Sequence, residues 1–471
     1  MEVQSVSVSR RELLTGAAAL AVLGRAGGWA PAAHGAAGDG ELLRARPGTA
    51  RLVPPGYPET PIWGYEGQVP GPAVRLRQGE RVRRRFANEL PEASTVHWHG
   101  IRLANAMDGA PGVTQDAVPP GAEFLYDFVA PDAGTFWYHP HERAFEQMAR
   151  GLYGALVVEE PDPPQVDRDQ VLLLDDWRLT EQARIHEESF GALGDWSHAG
   201  RTGNWITVNG DGAWTRTVAH HERLRLRLVN VANARIFSID TRGLDGWLVA
   251  LDGQPLAKLE PPAPLVLAPG QRADLVVDVV AGEGEKGLLF SREREGTFIL
   301  ATFAVSGVAR ATRLPVPSPL PANPVTPLGE LGRARHATLR MEGGAMGRLR
   351  QAVLDGTTMP MRDLAARGKV WAMNGLAQMP QEPLFAARRG ETVLLTMIND
   401  SAWPHGMHLH GHHFRPLSPS GEPGPLRDTV LTDPDETLRI AFVADNPGDW
   451  LLHCHMLEHS VAGMLTWFRV A

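Results

Sequence analysis

Gly79-Glu80-Arg81-Val82, His221-Glu222-Arg223-Leu224 and Gly390-Glu391-Thr392-Val393 are three versions of one phrase, and they decide the fold. In each, an asparagine follows the glutamate by eight residues: Asn88, Asn230 and Asn399. Upstream sit Trp63…Gly67, Trp205…Asn209-Gly210 and Trp371…Asn374-Gly375. Between these marks run segments such as Leu224-Arg225-Leu226-Arg227-Leu228-Val229, whose period-two alternation predicts half-buried strands. The repeat therefore predicts an all-β chain carrying one Greek-key β-sandwich or barrel unit three times. Length agrees, since 471 residues suggest about three domains. Fifty glycines and 38 prolines favour strands and turns over long helices.

Proline-rich stretches place the boundaries. Pro161-Asp162-Pro163-Pro164 closes the first unit, and Leu314 to Pro327 joins the second to the third. The expected domains are 41–160, 165–308 and 331–471, with a linker at 309–330. Residues 1–36 read as a signal peptide. Ser9-Arg10-Arg11-Glu12-Leu13-Leu14 resembles a twin-arginine motif, an apolar stretch follows from Thr15 to Gly24, and the small-residue run Ala30-Pro31-Ala32-Ala33 comes next. The apolar part is too short to span a bilayer, so no stable membrane anchor is expected. Export to the periplasm follows, or secretion where the organism lacks an outer membrane. A net charge of −8 gives no reason to expect a nucleic-acid partner.

The repeat also shows where metal would go. Nine residues after the three asparagines stand His97, Ile239 and His408, and eleven residues after stand His99, Thr241 and His410. A second phrase behaves alike. Gly134-Thr135-Phe136-Trp137-Tyr138-His139-Pro140-His141 parallels Gly448-Asp449-Trp450-Leu451-Leu452-His453-Cys454-His455, while the middle copy places Ala301 and Phe303 in the histidine slots. The outer domains thus offer eight histidines at matching places, which predicts one near-two-fold cluster at their interface. The only cysteine, Cys454, has Pro140 and Thr302 as its counterparts. In an extended strand it points opposite to His453 and His455, so one segment can serve metal on both of its faces. With His405, His459 and Met464 it completes two imidazoles, one thiolate and a thioether, the blue-copper electron-transfer set. Zinc competes for His and Cys, but a structural zinc site more often uses several cysteines.

Four motifs, His97-Trp98-His99-Gly100, His139-Pro140-His141, His405-Gly406-Met407-His408-Leu409-His410-Gly411 and His453 through Met464, make the chain resemble the multicopper oxidases from about Trp63 to Phe468. The resemblance implies three consecutive cupredoxin-like domains and four copper ions. It assigns His97 and His408 to type 2 copper, and His99, His139 and His455 to one type 3 copper. His141, His410 and His453 go to the other type 3 copper. His405, Cys454 and His459, with Met464 axial, go to type 1 copper. It further implies four one-electron oxidations of a small reducing substrate, passed through Cys454 to His453 and His455, with dioxygen reduced to water. Asp108, nine residues after His99, stands where the family tends to carry an acid near the cluster and is a candidate proton donor or orienter of a metal ligand; Asp108-Gly109 is equally a turn dipeptide. Ser460 stands where some cuprous oxidases carry another acid.

A laccase-like oxidase of phenols or aromatic amines, acting as a monomer, is the favoured function. A periplasmic cuprous oxidase is the alternative, because six of the 13 methionines fall between Met341 and Met379 and thioethers suit Cu(I). The stretch Gly347 to Gly368 reads instead as a short amphipathic helix with methionine as core filler. A non-catalytic exported relative is a third reading, disfavoured by intact ligand positions. His34 falls in the leader. His186, His198, His220, His221 and His336 read as surface or loop residues, and His412 and His413 as packing near the site.

Overall fold

A computed structural model describes residues 40–471. The leader with Arg10-Arg11 and His34 lies outside the described residues. The chain is nearly all β, with three cupredoxin-like sandwiches in succession. In the first, the strands Thr60–Tyr65, Glu41–Ala50, Arg81–Asn88 and Glu123–Val129 form one sheet. Gly71–Arg77, Gly154–Glu159, Gly134–His139 and His97–His99 form the other.

The topology repeats. Glu41–Ala50 pairs in parallel with Arg81–Asn88, Arg168–Trp177 with Arg223–Asn230, and Arg335–Gly343 with Glu391–Ser401. In each sandwich the strand after the repeated glycine or histidine phrase is therefore the parallel partner of the first strand. The phrase itself is explained by its hydrogen bonds. Glu80, Glu222 and Glu391 each accept the backbone N–H three residues earlier, from Arg77, Ala219 and Arg388. Asn88 donates to the Glu92 and Val118 carbonyls, Asn230 to those of Arg235 and Leu267, and Asn399 to those of Trp403 and Asp433. A buried side-chain amide thus pins the same loop three times, which is the requirement for buried polar groups. That loop leads into the strand bearing His97 and His99, or His408 and His410.

Two expectations are corrected. The run Arg223–Asn230 is not half-buried; all eight residues are buried. Its arginine face is covered by the first domain and neighbouring strands rather than by water. Arg225 makes bidentate contacts to Glu160 and further bonds to Asp274, and Arg227 reaches Asp169 and Thr135. Alternation reported which face was ionic, not which was wet. The stretch Gly347 to Gly368 is mainly a hairpin, with Gln351–Leu354 antiparallel to Thr357–Pro360, followed by the short helix Met361–Ala365. Asp355 and Gly356 take φ of 51° and 71°, as a tight primed turn requires. Met359 and Met361 are half-buried against a small cluster with Ala352, Leu354 and Leu364. Methionine as filler holds, on a hairpin rather than a helix.

Buried side chains of the first and third sandwiches, Trp98, Tyr138, Trp371 and Trp450 among them, form one continuous apolar cluster, while the middle sandwich has its own. Of the middle copy's four counterparts of the histidines, Ile239, Ala301 and Phe303 lie in that second core.

Candidate metal centre

His97–His99 pairs antiparallel with Gly134–His139, setting His97 opposite His139. In the third sandwich His405–Leu409 pairs with Gly448–Cys454, setting His408 opposite His453 and Met407 opposite Cys454. The pleat sends Trp98 and Tyr138 into the core and the flanking histidines to the opposite face. Eight histidines gather there from the two domains. His97, His408 and His410 converge to within 4.8 Å, as do His97, His99 and His139, and also His141, His410 and His453. The His455 ring lies 5.0 Å from that of His99 and 5.3 Å from that of His139. The middle domain closes this end with Gly270, at φ +84°, where any Cβ would stand 3.0 Å from both the His455 and His99 rings.

Hydrogen bonds fix which nitrogen faces inward in six of the eight rings. His97 Nδ1 donates to the Asp108 carbonyl at 2.8 Å and His408 Nδ1 to the Asp428 carbonyl at 3.0 Å. His410 Nδ1 donates to Asp108 Oδ2 at 2.8 Å, and His99 Nε2 lies 3.3 Å from Asp428 Oδ1. The two aspartates are thus related as the two domains are, each serving one histidine of its own domain and one of the other. His139 Nδ1 and His453 Nδ1 donate to the carbonyls of Pro140 and Cys454. Burial, joined by neighbouring imidazoles, holds His99, His139, His410 and His453 well below the ordinary histidine range, and takes His141 down to about 3. A neutral ring has one proton, and in His99, His139, His410 and His453 an outward bond uses it.

The inward nitrogens are therefore bare. His410 Nε2 and His453 Nε2 stand 3.1 Å apart, and His139 Nε2 and His99 Nδ1 stand 3.4 Å apart. Facing lone pairs at hydrogen-bond distance, with no proton between them, repel unless a cation lies there. His97 Nε2, His408 Nε2 and both ring nitrogens of His455 are buried with no hydrogen-bond partner. Buried unsatisfied groups of this kind call for an ion. The residues present fit metal.

The second site obeys the same rule. His459 Nε2 donates to the His198 carbonyl at 2.7 Å, and His405 Nε2 lies 2.9 Å from Ser401 Oγ. Ser401 spends its own proton on Asn399 Oδ1 at 2.7 Å. Both Nδ1 atoms are left bare, 3.2 Å apart and 3.7 and 3.8 Å from Cys454 Sγ. Metal–ligand bonds of about 2.0–2.3 Å at near-tetrahedral angles give donor spacings of about 3.2–3.8 Å. Met464 is buried, and its carbonyl accepts the Cys454 N–H at 3.1 Å. Burial takes the Cys454 thiol up to about 12 and His459 down to about 4. A thiol so placed ionises only with a cation beside it.

The structure brings together every histidine singled out from the sequence, with Cys454 and Met464 alongside. Asp108 is buried at the cluster, so its turn dipeptide and its contacts coexist. Asp428 was not foreseen: it follows His410 by 18 residues where Asp108 follows His99 by nine, so the repeat does not align them. Nor was Arg272 of the middle domain, whose fork grips Asp428 at 2.7 and 2.6 Å. His198, read as a surface residue, has an exposed side chain but a carbonyl in contact with His459. His412 and His413 are buried beside the site, the latter 3.7 Å from Asp428 Oδ2. Glu458 is buried, bonded to Asn233 of the middle domain, and its carboxyl is raised by desolvation. Among the described residues no helix is long and apolar enough to cross a membrane.

Three family models, each described as "Multicopper oxidase", match residues 48–163, 168–285 and 355–471. Among curated proteins the chain is 30% identical to multicopper oxidase MmcO of Mycobacterium tuberculosis, over 93% of this chain and 91% of that one. Among solved structures it is similar to Lac15 from a marine microbial metagenome, with 40% identity, 91% of this chain and 100% of that chain covered, and a TM-score of 0.75. A multi-copper oxidase from Pseudomonas thermotolerans is 35% identical, with 91% and 98% covered and a TM-score of 0.78.

Proposed function

Because this chain belongs to the multicopper oxidase family, whose members are copper-dependent oxidoreductases using dioxygen, we propose that it is a laccase-like oxidase. It would couple four one-electron oxidations of phenols or aromatic amines to reduction of dioxygen to two waters. The observation that carries this is the set of bare, inward-facing nitrogens, held 3.1 to 3.4 Å apart by outward hydrogen bonds at two sites.

His405, Cys454 and His459 would hold type 1 copper with Met464 axial, and His97 and His408 type 2 copper. His99, His139 and His455 would hold one type 3 copper, and His141, His410 and His453 the other. Copper in these places supplies one-electron storage at the thiolate site and four-electron delivery to dioxygen at the cluster. The chain's own part is positional. Asp108 and Asp428 fix the tautomers of four rings, as outer partners of metal-binding histidines do. Asp108, whose carboxylate accepts from His410, is placed to pass protons toward water formation. Cys454 joins the two sites covalently, since it ends the strand Gly448–Cys454 with His453 before it and His455 directly after it in the chain.

The proposed domains are 41–160, 165–308 and 331–471, with a linker at 309–330. The Ser9–Leu14 motif supports twin-arginine export, to the periplasm where there is an outer membrane, and the chain is proposed to act as a monomer. Cuprous oxidation is the second reading, favoured by one observation: Met346 is 77% exposed. Met359 and Met361, packed as filler, do not add to it.

The test is copper content and an absorption spectrum, then oxygen uptake with 2,6-dimethoxyphenol with and without added Cu(II). Four coppers per chain, an intense blue band and phenol oxidation independent of added Cu(II) are expected. Oxidation that depends on added Cu(II) favours the metal role, and a chain without a blue band contradicts both.

A further inference from the structure

We propose that the aromatic substrate docks against His198 and Trp403 and that its electron enters through the main-chain carbonyl of His198; this rests on the oxidase reading above. His405, Cys454, His459 and Met464 are all 0% exposed, so no reductant touches them directly. The hydrogen bond that leaves His459 outward ends on His198 O at 2.7 Å. On another side of the two rings lies Trp371, 5.0 Å from His405 and 4.5 Å from His459, itself 0% exposed. Its Nε1–H donates to the Trp196 carbonyl at 2.6 Å, so the short middle-domain helix Leu193–Ser197, which His198 directly follows, covers that side too.

The outer end of this route is a surface. The exposed His198 ring lies 5.2 Å from the half-buried Trp403 ring at 61°. Trp403 Nε1–H donates to the Ala345 carbonyl at 2.9 Å, and Ala345 N–H donates to the Ser197 carbonyl at 2.6 Å. The two rings are therefore held by a closed loop of contacts between the middle and third domains. An edge-to-face pair with one exposed member accepts a third aromatic ring in stacked or edge contact. A phenol bound there loses one electron to the protein and its hydroxyl proton to water, leaving a phenoxyl radical; four such events match one dioxygen and two waters. From the contacted imidazole the electron crosses the covalent frame of His198 and one hydrogen bond to reach the His459 ring. The middle domain, which contributes none of the twelve proposed copper ligands, thereby shares with the third domain the choice of reductant.

Because docking is separated from the buried site, His198→Ala and Trp403→Ala should raise the KM for 2,6-dimethoxyphenol about tenfold, the worth of one aromatic contact. Copper content and the blue band should stay as in the wild type, and Trp403→Phe should keep most of the affinity. Binding of the same phenol to the copper-free protein, followed by saturation-transfer NMR, should be lost in both alanine variants. Wild-type KM and wild-type NMR binding in both variants would overturn the proposal. So would a KM that rises for Cu(I) and not for the phenol. Failure of the oxidase reading looks different, since a wild-type chain without blue colour would still report phenol binding in the copper-free NMR experiment.

Discussion

Cys454 shows how much a single side chain depends on its surroundings. Buried with no cation of the chain beside it, its thiol is pushed up to about 12, and the bare nitrogens of His405 and His459 face it. Cys454→Ser should abolish the blue band and turnover while thermal unfolding shifts little, because the serine fills nearly the same volume; absorption and calorimetry check this. Asp108→Asn keeps the size but removes the charge that His410 leans on. Oxygen reduction should fall about 10–100-fold, the usual effect of an outer partner of a metal ligand, and an unchanged rate across pH would remove its role. At this scale the eight cluster histidines were legible from their matching places in the two outer copies, although only His97–His99 lies wholly within a strand. Asp428, Arg272 and the His198 carbonyl were not. Their roles arise from contacts across domains, and a main-chain carbonyl has no signature in a sequence.

At the scale of elements, the repeated phrase has a physical cause in Glu80, Glu222 and Glu391 and in the three asparagines. Their consequences differ by domain. Asn230→Ala should cost about 1–3 kcal/mol, the desolvation penalty of the groups left unpaired, with no change in the copper spectrum. Asn399→Ala should cost as much and also perturb the blue band, because Asn399 orients Ser401 and Ser401 orients His405. Calorimetry beside absorption separates the two effects. The strand Arg223–Asn230 carries buried ion pairs, and Arg225→Ala would leave Glu160 and Asp274 short of their partner. A loss of about 3–5 kcal/mol is expected, read from denaturant unfolding. Alternation announced this strand correctly but not its depth, because arginine and lysine patterns read as solvated until a second domain supplies carboxylates. The Gln351–Pro360 hairpin was misread for a local reason: Asp355-Gly356 is a turn signal within a window that otherwise suits a helix.

For the whole molecule, the continuous core of the first and third sandwiches sets two histidine-bearing faces against each other, with the middle domain closing the end through Gly270 and Arg272. Copper-free protein should then be acid-sensitive in a defined window. His141 and His459 are held at about 3 and about 4 in the fold, below the ordinary value of about 6.5. Unfolding at pH below about 6.5 lets these rings take protons the fold refuses, so the unfolded state binds more protons and stability rises with pH. It should be fully present above about 6.5 and decline down to about 3–4, by about 2 kcal/mol per ring at pH 5. Unfolding of the copper-free protein between pH 7.5 and 5 tests this, and a flat profile would contradict it.

The central claim, that inward lone pairs of two neighbouring sites are there to hold copper, is tested most directly by anomalous diffraction at the copper edge from crystals of the copper-loaded protein. The account predicts one peak among His405, Cys454 and His459 and three peaks among the eight histidines between the first and third domains. A peak at the cysteine site alone, or signal that appears at the zinc edge instead, would contradict it.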